Sequence, residues 1–272
     1  MNPEIVFLRG GGLGDFILTL PLIKLAHERG NRVRLYARGS YLKLLGQDWN
    51  WLEKREIDEL NGSAPPKIKD AMVVSFWTDQ KWSEETLEAG ANKAVGLNPR
   101  PVEGGSFLVQ ASEKLGWDLA PNYKTDPILG NYFKSENDTL WVHPGSGASC
   151  KNLPLENFIS RAYQWLEEQS DRKVFFSFGE ADSKVLEMFK ANQVCQDHRV
   201  NIIQPGTVLN FKNQLLCHAP HYLGNDSGPG HLAANLGLPV EIWFRNTNAS
   251  VWKPTGPRVV AYDLDSDSSS IL

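Results

Sequence analysis

The segment EIVFLRGGGLGDFILTLPLIKLA, residues 4–26, constrains the fold more than any other stretch. A short apolar run, Ile5 to Leu8, meets three consecutive glycines, and Asp15 then leads a long apolar-periodic stretch. That order of strand, glycine turn and helix is the first part of a parallel βαβ unit. The grammar recurs through the first half, with strands at Val33–Ala37 and Ala71–Phe76 and helices at Ser40–Leu45, Ser83–Ala89 and Ser106–Leu115. Between Gly116 and Asp138 prolines, asparagines and charges replace the pattern. The spacing predicts a domain boundary near residue 135, giving domains 1–135 and 136–272.

The second half is cleaner. Strands are expected at Thr139–His143, Val174–Phe178, Val200–Ile203, His221–Gly224 and Val240–Phe244, the last clear one. Helices are expected at Leu155–Glu168, Ala181–Lys190, Val208–Cys217 and His231–Leu236. The acidic, serine-rich end reads as a fraying tail. The fold class is therefore α/β, with two Rossmann-like doubly wound parallel-sheet domains. Ligands of such sheets bind at the carboxyl ends of strands, so the expected site is a cleft that the two domains face.

Bulk properties narrow the function. A formal net charge of −4 supplies no global basic field, which excludes nucleic acid as the expected partner. No apolar run is long enough for a transmembrane helix, and the start lacks the order of a signal peptide. Three widely spaced cysteines suggest no disulfide framework, so a cytoplasmic compartment is expected, with peripheral contact at a membrane surface left open. His143, His218 and His221 show no metal spacing, so no metal site is expected.

Three loops carry the chemistry. The first is neither a dinucleotide fingerprint nor a P-loop, because Asp15 stands where a glycine would complete the former and no Gly-Lys-Ser/Thr follows. Asp15 is either a helix cap or a general base that takes a proton from an attacking hydroxyl. The second loop, HPGSGASCKNLP, offers Ser146 and Gly147 in a flexible turn and Lys151 as a point charge, a combination suited to phosphate or an ordinary solvated loop. The third, NDSGPGHLAANLGLP, places Asp226, Ser227 and Gly228 at a helix start, with His231 as a ligand contact or a core histidine.

Together RGGGLGDFILTLPLIKLA, HPGSGASCKNLPLENF and YLGNDSGPGHLAANLGLPV resemble the heptosyltransferase family, glycosyltransferase family 9, in the family's own order. The resemblance implies the two-domain GT-B fold and an inverting transfer of heptose from ADP-heptose to lipopolysaccharide inner core. It implies Asp15 as catalytic base in an acceptor-side domain, and a donor domain in which Ser146 and Gly147 form the diphosphate loop and Lys151 meets the donor's phosphates. Glu180 then lies near the ribose, and Asp226, Ser227, Gly228 and His231 form the donor motif at a helix N-terminus. The partners implied are a nucleotide-sugar donor, which is a substrate and not a cofactor, and a glycan or glycolipid acceptor at the cytoplasmic face of the inner membrane. One departure is Leu153, where family members often carry Trp before the proline. Two other readings stand beside this one: a nucleotide-sugar binding protein without turnover, and a sugar-nucleotide epimerase of the same fold.

Overall fold

The structure is a computed structural model and describes residues 3–130, 138–218 and 220–264. It divides into two compact units, Met1–Lys124 and Thr125–Leu272. The boundary expected near residue 135 and the serine-rich end lie outside the described residues.

In the first unit, β1 (Glu4–Arg9), β2 (Arg32–Ala37), β3 (Glu53–Glu56), β4 (Met72–Ser75) and β5 (Lys93–Gly96) form one sheet in the order β3-β2-β1-β4-β5. Every pairing in it is parallel. β1 is buried from Ile5 onward because both faces of a parallel sheet are covered, which is why it reads as a continuous apolar run. The helix Leu13–Glu28 follows it. Phe16, Ile17, Leu20, Ile23 and Ala26 are almost wholly buried and lie on more than one face of this helix, as suits an element packed inside the domain.

In the second unit, β6 (Thr139–His143), β7 (Lys173–Ser177), β8 (Val200–Ile203), β9 (His221–Asn225), β10 (Val240–Phe244) and β11 (Val259–Asp263) form a sheet in the order β11-β10-β9-β6-β7-β8. It too is parallel throughout. The helix Leu155–Glu168 turns Phe158, Ile159, Ala162, Trp165 and Leu166 onto this sheet at helical spacing, against Val142, Val174 and Phe176. The chain enters each sheet at its middle, at β1 and β6, and later crosses to the other side, at β4 and β9. Connections leave such a pair in opposite directions and open a crevice above the strands' carboxyl ends.

The structure corrects several expectations. β3 (EKRE), β5 (KAVG) and β11 (VVAYD) are strands that the apolar pattern did not announce. β3, β5 and β11 each lie at a sheet edge, where one side is unpaired and charge is tolerated. The helix expected from His231 begins at Gly228, since Pro229 is compatible with the first helical turn. The helix expected from Ala181 is a 3₁₀ turn, Glu180–Asp182, followed by an α-helix, Ser183–Lys190.

Candidate functional site

In the first unit the glycine turn joins β1 to the helix that carries Asp15. That helix begins at Leu13 with Gly12 at its cap, so Asp15 sits in the first turn and not at the cap itself. Its Oδ2 accepts the Gly12 amide at 2.8 Å and its Oδ1 accepts Arg9 Nη2 at 2.9 Å. Gly11 has φ +96°, and a Cβ there would stand 2.6 Å from Asp15 Oδ2, so the turn closes over the carboxylate only with glycine at that position. The Asp15 side chain remains 32% exposed, while Arg9 is 3% exposed. Burial brings the Arg9 guanidinium down to about 10 against the pull of Asp15, and it stays charged at neutral pH.

In the second unit three loops meet at the crevice above β6, β9 and β10. Asn225, the last residue of β9, ties the first two: its Nδ2 donates to the Pro144 carbonyl at 2.7 Å and its Oδ1 accepts the Leu153 amide at 3.1 Å. The loop after β10 adds two clamps, Arg245 Nη1 on the Asn152 carbonyl at 3.0 Å and Asn246 Nδ2 on the Cys150 carbonyl at 2.7 Å. Lys151 Nζ donates to Asp226 Oδ2 at 2.8 Å, and Thr247 Oγ1 donates to the same oxygen at 2.9 Å. His231 Nε2 stands 3.9 Å from Asp226 Oδ1. Burial pushes the Asp226 carboxyl up, but attraction to His231 and Lys151 outweighs it and brings it down to about 2.

The structure thus brings together Lys151, Asp226, Ser227, Gly228 and His231. Ser227 caps the helix Gly228–Asn235 by position without a side-chain cap hydrogen bond, and its buried hydroxyl lies beside that of Tyr222. The N-terminus of that helix, with its free amides, is where an anion would find donors. Ser146 is different: its hydroxyl is 2.7 Å from the Ala148 carbonyl and 2.6 Å from Asn152 Oδ1, so it braces its own loop. Gly147 is exposed with open space around it. Glu180 is exposed in the 3₁₀ turn that follows β7, the strand beside β6.

The sequence reading missed Asn225, Asp182, Arg245, Asn246 and Thr247. Asp182 is buried, accepts the Gly179 amide at 2.7 Å, and lies against Gly145 so closely that a Cβ at Gly145 would collide with its carboxylate. His143 is buried beside it, with Nε2 3.6 Å from Asp182 Oδ2 and Nδ1 3.0 Å from Ser177 Oγ. Burial pushes the His143 imidazole down, against the pull of Asp182. A usable signal for Asn225 was its place at the end of an apolar strand, where a buried polar residue needs partners, whereas Asp182 lies in the 3₁₀ turn after β7 and no local pattern marks it. Among the described residues no group of three or more His, Cys, Asp or Glu is placed to hold a metal ion.

Two doubly wound parallel sheets in one chain, each with a glycine-bearing loop at the crevice above its central strands, are the architecture of GT-B glycosyltransferases. Residues 110–270 match the profile of glycosyltransferase family 9 (heptosyltransferase), more than half of the chain, and the chain belongs to that family. No match was found among curated proteins. Its fold is similar to that of a family 9 glycosyl transferase from Veillonella parvula DSM 2008, at 14% identity and TM-score 0.70 over 97% of this chain and 86% of that one. It is also similar to the E. coli heptosyltransferase WaaC with ADP (13%, TM-score 0.65, 96% and 93% covered) and to E. coli ADP-heptose lps heptosyltransferase II (16%, 0.67, 96% and 90%). At such identities the likeness is one of fold. No described helix is long and apolar enough to cross a membrane.

Proposed function

We propose that this glycosyltransferase moves heptose from ADP-heptose to a lipopolysaccharide-type or other glycan acceptor, with inversion and without a metal ion. The observation that carries the donor half is the Lys151–Asp226 pair at 2.8 Å, set between a glycine loop and a helix N-terminus on neighbouring strands. In this reading the diphosphate lies against the Ser146–Gly147 loop, Lys151 and the helix start at Ser227 and Gly228. Glu180 lies toward the ribose. The solved relatives named for ADP and ADP-heptose support that donor.

The reaction then runs as a single displacement. Asp15 takes the proton of the acceptor hydroxyl, the freed oxygen bonds to the anomeric carbon, and the bond from that carbon to the diphosphate breaks. The charge that grows on the departing ADP is met by Lys151 and the helix N-terminus, donors that are fixed before the reaction begins. A lipid-linked acceptor would bring the protein to the cytoplasmic face of the inner membrane.

A second reading, donor recognition without turnover, is favoured by one observation: both Asp15 oxygens already accept hydrogen bonds. The two separate on one experiment, titration with ADP followed by an assay of ADP release from ADP-heptose with a heptose-deficient lipopolysaccharide core. Binding with release supports transfer. Binding with no release supports recognition alone, and no binding overturns both.

A further inference from the structure

The second unit has a cavity of about 370 Å³ at the end of its sheet opposite the donor loops. Leu140 stands second in β6, and His221, Val240 and Val259 stand first in β9, β10 and β11; all four line it. The loops that carry Lys151, Asp226 and Arg245 leave the other ends of β6, β9 and β10. A strand of this length puts roughly 13 Å between its two ends. A ligand in the cavity would therefore leave the nucleotide crevice open.

The wall is electropositive. Arg161, on the helix Leu155–Glu168, and Arg258, just before β11, are both half-buried and both line the cavity. Among the described residues Arg161 makes no hydrogen bond or ion pair. Arg258 Nη2 donates to the Gly237 carbonyl at 2.6 Å, a neutral partner. Glu241 opposes them, with its Oε1 held by Trp243 Nε1 at 2.8 Å. A third arginine, Arg172, lies 4.1 Å from the centre of the Trp165 ring, but Glu168 and Asp138 match its charge. His221 registers this surplus: burial first, then Arg258, Arg172 and Arg161, push its imidazole down against the pull of Asp138. It is neutral at pH 7 and adds no charge of its own. Two guanidinium groups against one carboxylate leave one net positive charge on the lining.

The rest of the lining is largely apolar. The Trp165 ring, Leu140 and Val259 form it, and Val260, 52% exposed, borders the opening. Guanidinium groups take a carboxylate through parallel N–H donors and stack on flat groups, and an apolar body would cover the aliphatic and aromatic wall. We propose that this cavity is a ligand site separate from the nucleotide crevice, and that its ligand is a small organic monoanion, a carboxylate on an apolar body, held by Arg161 and Arg258. The inference does not depend on the transferase reading above.

Saturation-transfer NMR on the full chain near neutral pH tests it, with hydrocinnamate, octanoate, hydrocinnamide and phenyl phosphate as probes. The expected result is saturation of a carboxylate, none of the amide or the doubly charged phosphate, and no loss of signal when ADP is added. Loss of a charged hydrogen bond weakens binding by roughly tenfold or more, so Arg161→Gln should weaken the carboxylate by that factor. Val260→Glu, which places a carboxylate at the opening, should weaken it as well. Both positions are partly open to solvent, and an unchanged melting temperature certifies each variant. Absence of saturation on both carboxylates, equal saturation of the amide, preference for the phosphate, or unchanged affinity in either variant would overturn the proposal. Displacement of the carboxylate by ADP would place the probe in the nucleotide crevice and overturn it too.

Discussion

Arg9 and Asp15 grip each other across the glycine turn: Arg9 Nη2 donates to Asp15 Oδ1 at 2.9 Å and Arg9 Nε to the Asp15 carbonyl at 3.0 Å. With the Gly12 amide on the other oxygen, the carboxylate has one orientation. It anchors the first helical turn and, in the mechanism proposed above, is also a base held in place; the two roles respond differently to substitution.

Asp15→Asn keeps the shape and an oxygen for the Gly12 amide, but leaves the buried Arg9 charge unpaired. Turnover should fall by about 10²–10⁴-fold, with a stability loss of about 1–3 kcal/mol from the lost charged hydrogen bond. The check is ADP release beside melting temperature and ADP affinity. Turnover near wild type would reduce Asp15 to an anchor.

Lys151→Ala should weaken ADP binding by about 1.5–3 kcal/mol if its ammonium meets the phosphates directly. Calorimetric titration measures it. Unchanged affinity would remove Lys151 from the site and leave it as the counter-ion of Asp226.

Asp226 makes stability acid-sensitive. Its folded value, about 2, lies below the ordinary carboxylate value, so its contribution is complete above about pH 4 and disappears as pH falls toward 2. The amount is about 2 kcal/mol for a shift of this size. Denaturant unfolding of wild type and Asp226→Asn between pH 5 and 2 should show a shallower decline in the variant.

His143 acts at milder pH. It is buried and its imidazole is pushed down, so below about pH 6.5 the unfolded chain binds a proton that the folded chain refuses. Stability should therefore fall from pH 7 to pH 5, and His143→Gln should flatten that slope. An identical slope in the variant would assign the effect to another group.

Chelation tests the metal-free reading. Transfer that persists undiminished in EDTA agrees with charge stabilisation by Lys151 and a helix N-terminus, whereas loss restored by a divalent cation would overturn it.

What the sequence disclosed followed its physics. Inner strands such as Thr139–His143 and Val240–Phe244 were legible to the residue because burial on both faces leaves them mostly apolar, with Leu140, Trp141 and Val142 in one and Ile242, Trp243 and Phe244 in the other. β3, with the sequence EKRE, was not, because an edge strand is held by backbone pairing that charge does not prevent. Asp226 and Lys151 stood out by residue type beside glycines, but their direct pairing spans 75 residues and no local pattern encodes it. Ser146 was legible as a loop residue only. That its hydroxyl turns back onto Ala148 and Asn152 depends on how the whole turn closes.

The ties of Asn225, Arg245 and Asn246 between the three loops of the second unit have a kinetic consequence. Loops already fastened to one another lose little freedom when a nucleotide arrives, so the entropy of ordering is settled during folding and not at each encounter. Capture should then proceed at one rate for tight and weak nucleotides alike, with affinity written in how long each one stays.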